Sequence, residues 1–500
     1  MAYKPQEITI RNFFGGISDD PRKPSTNEFQ ITKHFDIFSQ PNRLTPYRSL
    51  EADTETSVSA TDLKQYSVRD FLYASASAKL FGLGQTGAGL TKILQKADAT
   101  TGLWTTPATS EGNGAVQNGC FVEYKDILWG FQGTTQIWSW VIATNTITNS
   151  KSTVGATITS VAQGLIFNDY LYLPYNNKIW RATDATTFSD AYLTLPTNIK
   201  ITSLTAYGKY IAIAVAPIST FNGVSKVFLW DGTSTDVQEK IDWGEGEIRV
   251  LETIEGMLVG VTDRYLNNAT GAGRGSMIIQ VYGGGTPQVV KEIFTLALSG
   301  KTMPISKAVK NNRLFFACKI MTNTAGTTYN EGIWSFGRKN ANYPYTLTLD
   351  IIDENITTSG IQAFGTAANY FFIAHSSDGS VDKTNDAATY AFTSICETQI
   401  FDFGDPTITK KLDKFTIYTV PIPTSGSISV KYRVNNETSF TTIGTLTTVG
   451  AISRDFYNIE STGVDFPTFK EIQFQITSVT GGAEPTGFKI SALPLIGSEI

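Results

Sequence analysis

Short apolar runs alternate with two-residue polar breaks along most of this chain. The unit is clearest in residues 164–181, GLIFNDYLYLPYNNKIWR. Leu165–Phe167 reads as a strand, Asn168–Asp169 as a break, and Tyr170–Tyr175 as an aromatic strand. Asn176–Asn177 is a second break, before a third short strand at Lys178–Arg181. Asn and Asp tolerate the positive φ angles of tight hairpin turns, so these breaks predict turns between antiparallel strands. A unit this small cannot bury its own faces and needs neighbours of the same kind.

Such neighbours are present. Phe121–Trp140 turns at Lys125–Asp126, Leu204–Asp231 at Gly208–Lys209, Leu251–Tyr282 at Glu255–Gly256 and Ala308–Phe336 at Asn311–Asn312. Weaker copies occupy Val68–Leu83 and Ile361–Lys383. The apolar residues assigned to the third strands are Leu80, Ile137, Ile179, Val227, Met277, Ile333 and Val381. They recur at intervals of 42–57 residues, close to the roughly 40–50 of a four-stranded propeller blade, with loop insertions of different length between units. The expected fold is all-β, with a β-propeller of six or seven blades. Trp138, Trp140, Trp180, Trp230 and Trp334 fall in or beside the third strands and are expected to pack between blades.

The two ends of the chain break the pattern. Residues 1–63 form an N-terminal extended segment of strands and loops, residues 64–395 the propeller and residues 396–500 a second module. In the first part Glu7–Asn12 alternates as a strand and is a candidate to close the propeller. Phe13–Phe14 then runs into Gly15–Gly16, and paired glycines there indicate a backbone position that a side chain would obstruct. From Cys396 onward the strands become evenly spaced and alternating, which predicts a C-terminal antiparallel β-sandwich.

Composition narrows the class. Hydrophobic residues make up 41% and charged residues 17%, too apolar for a disordered chain. The net charge of −5 comes without a basic stripe, which disfavours binding through phosphate neutralisation. Cys120, Cys318 and Cys396 are odd in number and lack metal spacing, so buried thiols are expected rather than a disulfide framework. The opening residues show no apolar signal core, and the longest aliphatic run, Ile211–Val215, is too short to span a bilayer.

Candidate chemistry is sparse. His34 and His375 have no local nucleophile motif beside them. Asp242, Glu245 and Glu247 form the best carboxylate cluster. They match the residue types of a propeller glycosidase and equally a solvated Gly-containing connection. The basic run Thr409–Lys414 reads as a solvated strand edge, and Gly271–Ser276 as a hairpin tip without the lysine and helix of a phosphate loop. The chain is therefore expected to be non-enzymatic, with no catalytic, cofactor-binding or metal-binding residues and no cofactor. The alternative is a carbohydrate-binding or carbohydrate-active propeller with an accessory sandwich.

The opening carries one further pattern. IRNFFGGISDDP, a stretch reaching HFDIF, and NRLTPYRS resemble the start of the tail nozzle proteins of short-tailed bacteriophages, the tail tubular protein B family. Arg11, Asn12, Gly15, Gly16, Ile17, Ser18 and Pro21 match the first part of that pattern. Arg43 and Arg48 match the second part loosely, since Tyr47–Arg48 stands where the family has an Arg-Pro order. The resemblance covers only the opening of the chain. It implies a virion tail protein, assembled in the host cytoplasm, that forms a ring of identical subunits, expected to be a hexamer, around the path of exiting DNA. The implied partners are an upstream tail adaptor or portal-proximal protein and tail fibres, with DNA passing without specific binding and no membrane span. The residues named would then serve turns and assembly contacts, and an acidic lumen would let DNA slide.

Overall fold

The computed structural model describes residues 4–18, 22, 28–40, 42–53, 67–96, 104–107, 110–116, 122–218, 223–266, 274–295, 306–318, 321–322, 328–329, 332–352, 361–375, 381–384, 393–457, 465–479 and 481–495. Among the described residues every regular element is a strand, and none is a helix long and apolar enough to cross a membrane. Pro21, Cys120 and most of the glycine-rich stretch 267–275 lie outside the described residues.

Seven four-stranded antiparallel arrays follow one another along the chain. Their first strands are Ser67–Ala74, Val122–Tyr124, Leu165–Phe167, Ile199–Tyr207, Glu247–Ile254, Lys307–Lys310 and Ile361–Ala367. Asn176–Asn177 joins the second and third strands of its sheet, and the other polar breaks are the hairpins between first and second strands. Lys125 and Asp126 have φ of 52° and 60°, Asn168 and Asp169 47° and 62°, and Asn311 and Asn312 52° and 59°. Positive φ at both central residues is the type I′ geometry that matches strand twist.

Hydrophobic clusters lie between successive sheets and return to the start. Trp129 and Phe131 of the second sheet share a cluster with Leu173 and Trp180 of the third. Leu314, Trp334 and Leu347 of the sixth pack with Val259 and Ile279 of the fifth. Phe372 and Val381 of the seventh pack with Phe71 and Trp104 of the first. All eight tryptophans are fully buried, so the aromatic third strands are the inter-sheet core that their spacing indicated. Leu80 is the exception in register. It lies on Lys79–Gln85, the second strand of the first sheet, whose third strand is Thr91–Lys96.

The seventh sheet takes its fourth strand from the N-terminal segment. Leu50, Glu51 and Ala52 pair antiparallel with Thr384, Lys383 and Asp382. This corrects the expectation for Glu7–Asn12. That stretch forms the strand Gln6–Ile10, which pairs over its whole length with Ala492–Phe488 at the other end of the chain. Both stretches can extend and pair, but Ile10 alternates into the terminal core, whereas the three-residue closing strand has little periodicity to reveal it.

Two further groups of antiparallel strands share one core. One holds Gln6–Ile10, Pro485–Pro494, Lys410–Thr419 and Ser453–Tyr457, and the other includes Ser394–Thr398, Ile472–Val479 and Ser427–Val434. Phe415 of the first lies 4.9 Å from Phe474 of the second, ring centre to ring centre, and 5.6 Å from Phe488. Lys410–Thr419 is an inner strand of its sheet, and Lys410 is buried, its ammonium donating to the Asp405 and Ile408 carbonyls. The expectation of a solvated edge there was wrong, because the lysines flank a Leu–Phe–Ile alternation that faces the core.

One buried carboxyl has no cation. Asp70, on the innermost strand of the first sheet, accepts a bond from the Phe71 N–H at 2.9 Å, and its Oδ2 has no partner. Burial raises its pKa from 3.8 to about 7, against the lowering by the Phe71 bond. Between those values the folded state keeps a proton that the unfolded chain has lost, so stability falls as pH rises through the window and stays reduced above it. The full gap corresponds to about 4 kcal/mol, and Asp70→Asn leaves an amide hydrogen short of a partner, which offsets part of it. The expected result is that Asp70→Asn stabilises by about 2 kcal/mol near pH 8, with the gain gone near pH 4. Urea unfolding at the two pH values measures this, and an equal effect at both would contradict it.

Candidate functional site at the seam between sheets

The N-terminal segment joins the two parts of the molecule. Glu28–Lys33 lies between the outer strand of the sixth sheet, Thr346–Ile352, and Ser394–Thr398. It bridges the former at Lys33–Leu349 in parallel and pairs with the latter antiparallel. The result is one continuous ten-stranded sheet running from the sixth array into the terminal module.

The residues of the opening pattern are distributed along this seam. Arg11 is exposed at the end of Gln6–Ile10, and Asn12 is partly buried. The Gly15 carbonyl accepts from Lys291 Nζ at 3.3 Å, and Lys291 also pairs with Glu28 at 2.9 Å. Gly16 has φ +71°, and a Cβ there would lie 2.4 Å from Thr346 Cγ2 and 2.7 Å from the Leu347 carbonyl oxygen. A side chain is thus obstructed by the sixth sheet as well as strained. Gly16–Ile17 pairs in parallel with Glu28–Phe29, and the Ser18 N–H donates to the Phe29 carbonyl at 2.8 Å. Arg43 reaches Glu484 at 2.8 Å, and Arg48 is exposed. These residues gather on one seam without converging on one point.

The seam also encloses a charged cluster that the sequence reading missed. Arg313 opens the second strand of the sixth sheet and Asp350 lies on its fourth. The Arg313 guanidinium binds Asp350 and Asp36, the latter at 3.1 Å. It also donates to Tyr47 Oη at 3.0 Å and Ser335 Oγ at 2.8 Å. Thr348 Oγ1 donates to the other Asp350 oxygen at 2.6 Å. The guanidinium stacks 3.9 Å from the Phe38 ring centre. Burial opposes the Arg313 charge, but Tyr47, Asp350 and Asp36 outweigh it and raise the pKa above the ordinary arginine value. Burial likewise pushes Tyr47 well up, so it stays a neutral phenol. Asp36 and Tyr47 come from the N-terminal segment, so this cluster fastens that segment to the sixth sheet. A lone Arg before LFFAC and a lone Asp inside TLTLDII were the available signals.

Beside the seam, Arg22, Lys33, Glu397, Arg433, Phe440 and Gln473 line a groove of about 720 Å³. Its polar side chains bind one another: Arg433 Nε donates to Gln473 Oε1 at 2.6 Å, and Arg22 pairs with Glu471 at 3.3 Å. Asp242, Glu245 and Glu247 do not converge on a pocket. Asp242 and Glu245 lie on the fourth strand of the fourth sheet, and Glu247 begins the innermost strand of the fifth. Glu247 is bound by Lys200 and Arg249, each at 2.9 Å. Asp242 and Glu245 are exposed, in keeping with a solvated connection, and Gly246 alone separates their strand from the one that Glu247 begins. His34 is buried in the seam, His375 faces Asp382 at 3.1 Å, and Cys318 and Cys396 are both buried.

No family model matches this chain, and no curated protein matches it. Several solved structures align with it at low identity. A virginiamycin B lyase from Staphylococcus aureus is 12% identical, with 67% of this chain and 99% of that chain covered and a TM-score of 0.44. The WD40 β-propeller domain of Doa1 is 11% identical, covering 68% and 97%, TM-score 0.42. The N-terminal domain of Nup159 is 9% identical, covering 67% and 95%, TM-score 0.40. The class defined by the strands themselves is an all-β, propeller-like protein.

Proposed function

We propose that this chain is a structural subunit of a phage tail nozzle or tail-tip ring, built as a closed seven-bladed propeller fused to a C-terminal β-sandwich. The observation that carries the reading is the seam. The opening residues that resemble the nozzle family occupy the junction and make the propeller-like part and the terminal module one hydrogen-bonded body. A subunit that forms the wall of a conduit needs such a junction, because hinged parts would let the bore change shape. In this reading the rest of the N-terminal segment and the sandwich face neighbouring subunits and an upstream tail adaptor, with exposed Arg11 and Arg48 among the contact residues. The assembled ring would be a hexamer whose lumen passes DNA without binding it.

The test is the mass of the purified protein across a concentration series, with negative-stain imaging of any oligomer and of the protein mixed with tails lacking it. Rings with a central channel, or capture at the tail end, are expected. A monomer that neither self-assembles nor joins such tails would overturn the proposal.

A further inference from the structure

Residues 110–116 lie between the first and second sheets and are bonded to both. Toward the first sheet, the Gly112 N–H donates to the Thr91 carbonyl at 2.7 Å, and the Thr91 N–H to the Gly114 carbonyl at 2.8 Å. The Ile93 N–H donates to the Ser110 carbonyl at 2.9 Å. Toward the second sheet, the Gly133 N–H donates to the Ala115 carbonyl at 2.7 Å, and Val116 bridges Gln132. Thr91 and Ile93 lie on the third strand of the first sheet, and Gly133 follows the second strand of the second. These bonds fix the spacing of the backbone across the run.

Asn113 and Gly114 stand in its middle. A Cβ on Gly114 would lie 3.0 Å from the Gly133 nitrogen and 3.1 Å from the Gly133 Cα, so the close approach of the two segments favours glycine at this position. The same missing side chain leaves the Gly114 nitrogen unshielded. Asn113 is exposed, and its N–H donates to Asn149 Oδ1 at 3.3 Å. Among the described residues, neither the Asn113 carboxamide nor the Gly114 N–H has a hydrogen-bond partner. A free carboxamide followed by a free, unhindered backbone nitrogen is the arrangement that allows the two to react, and asparagine is among the thermally labile residues.

We propose that Asn113 is a site of spontaneous conversion to isoaspartate, and that the conversion loosens the first sheet from the second. The Gly114 nitrogen gives its proton to hydroxide and attacks Asn113 Cγ. The Cγ–Nδ2 bond breaks, and the amide nitrogen takes a proton from water and leaves as ammonia. One water then opens the five-membered imide, at the side-chain carbonyl to give aspartate or at the backbone carbonyl to give isoaspartate. In sum, one amide and one water give one carboxylic acid and one ammonia, with no oxidation or reduction. Isoaspartate routes the main chain through the former side chain and so adds one carbon between the bonded residues Gly112 and Gly114. The bonds to Thr91 and Gly133 can then no longer all be kept. This inference does not depend on the assembly reading, since it concerns the backbone of a single chain.

The experiment holds the full chain in warm buffer, mildly alkaline or mildly acidic, either folded or in urea, and then digests it with trypsin. Tandem mass spectrometry of the peptide of residues 97–125 separates Asn113 from Asn118, and an isoaspartyl methyltransferase labels the product. The folded protein is expected to gain isoaspartate at residue 113, faster in the alkaline buffer because the attacking nitrogen must lose a proton. Asn113→Gln, which would need a six-membered ring, should lose the product at that position. Aged protein should unfold at a lower temperature than fresh protein, with hydrogen exchange quickened at Thr91 and Gly133. Asn113→Gln aged alongside should show no quickening there. No conversion at residue 113 in the folded protein overturns the proposal, and conversion in urea alone would show that the fold protects the site. Conversion that leaves exchange at Thr91 and Gly133 at the rate of fresh protein overturns it as well.

Discussion

Asp53→Ala is expected to destabilise the protein by about 3–5 kcal/mol, the range for leaving one member of a buried ion pair alone. Asp53 follows the closing strand Leu50–Ala52, and its N–H donates to the Val381 carbonyl at 2.8 Å. Its carboxylate accepts both bonds from Lys96 Nζ, at 2.9 and 3.0 Å, and one from Trp104 Nε1 at 2.6 Å. Both side chains of the pair are 0% exposed. Lys96 and Trp104 belong to the first sheet and the closing strand to the seventh, so one carboxylate holds the beginning and end of the array together. Without it the Lys96 ammonium keeps the Phe372 and Trp104 rings nearby, at 5.7 and 6.0 Å, but loses the Asp53 carboxylate, as does Lys383 Nζ, 3.7 Å from it. Urea unfolding should show the loss, and hydrogen exchange should quicken at residues 50–52 and 381–384. Asp53→Ala combined with Lys96→Met should recover part of the stability, since the fully buried pair is then removed as a whole. A change below about 1 kcal/mol, or exchange unchanged at both strands, would contradict this role.

The second large effect is expected at the seam. Among the described residues, Arg313→Met removes the cation bonded to Asp350 and leaves a carboxylate with a 0% exposed side chain, a loss again of about 3–5 kcal/mol. Burial already raises the Asp350 pKa, and Arg313 acts against that rise. In the variant the carboxyl should therefore take up a proton more readily. A folded pKa raised above the unfolded value gives stability at low pH that is lost as pH increases. The penalty of Arg313→Met should thus be smaller near pH 5 than near pH 8. Asp350→Asn in the same chain should cost much less than the sum of the single changes, because the two residues share one network. Strict additivity, or a penalty independent of pH, would show that the cluster does not fasten the N-terminal segment in this way.

What could be read in advance follows from where the physics is local. The turns at Lys125–Asp126, Asn168–Asp169 and Asn311–Asn312 are legible because positive φ restricts residue choice at the turn itself. The tryptophan-bearing third strands are legible because alternation and aromatic bulk repeat. The obstruction at Gly16 could be anticipated from paired glycines, though not that Thr346 and Leu347 would be the obstructing atoms. Long-range pairing was not legible. Leu50–Ala52 and Gln6–Ile10 are both extended, and the choice between them depends on partners more than three hundred residues away. The first sheet was shifted by one strand because Ala74–Leu80 makes a longer turn, with positive φ at Ala78 instead of a polar pair. The charged clusters escaped because Asp53, Lys96, Arg313 and Asp350 are isolated in sequence and meet only after folding.

The closing strand also sets a clock. Leu50–Ala52 leaves the ribosome early, whereas its partner Val381–Thr384 is made some three hundred residues later, and the partner of Gln6–Ile10 later still. At ordinary synthesis rates the N-terminal strands therefore wait on the order of tens of seconds with unpaired edges. During that interval any second nascent chain offers the same complementary strands. The order of manufacture thus makes exchange of N-terminal strands between subunits a characteristic hazard, and crowding of nascent chains on one message should favour it.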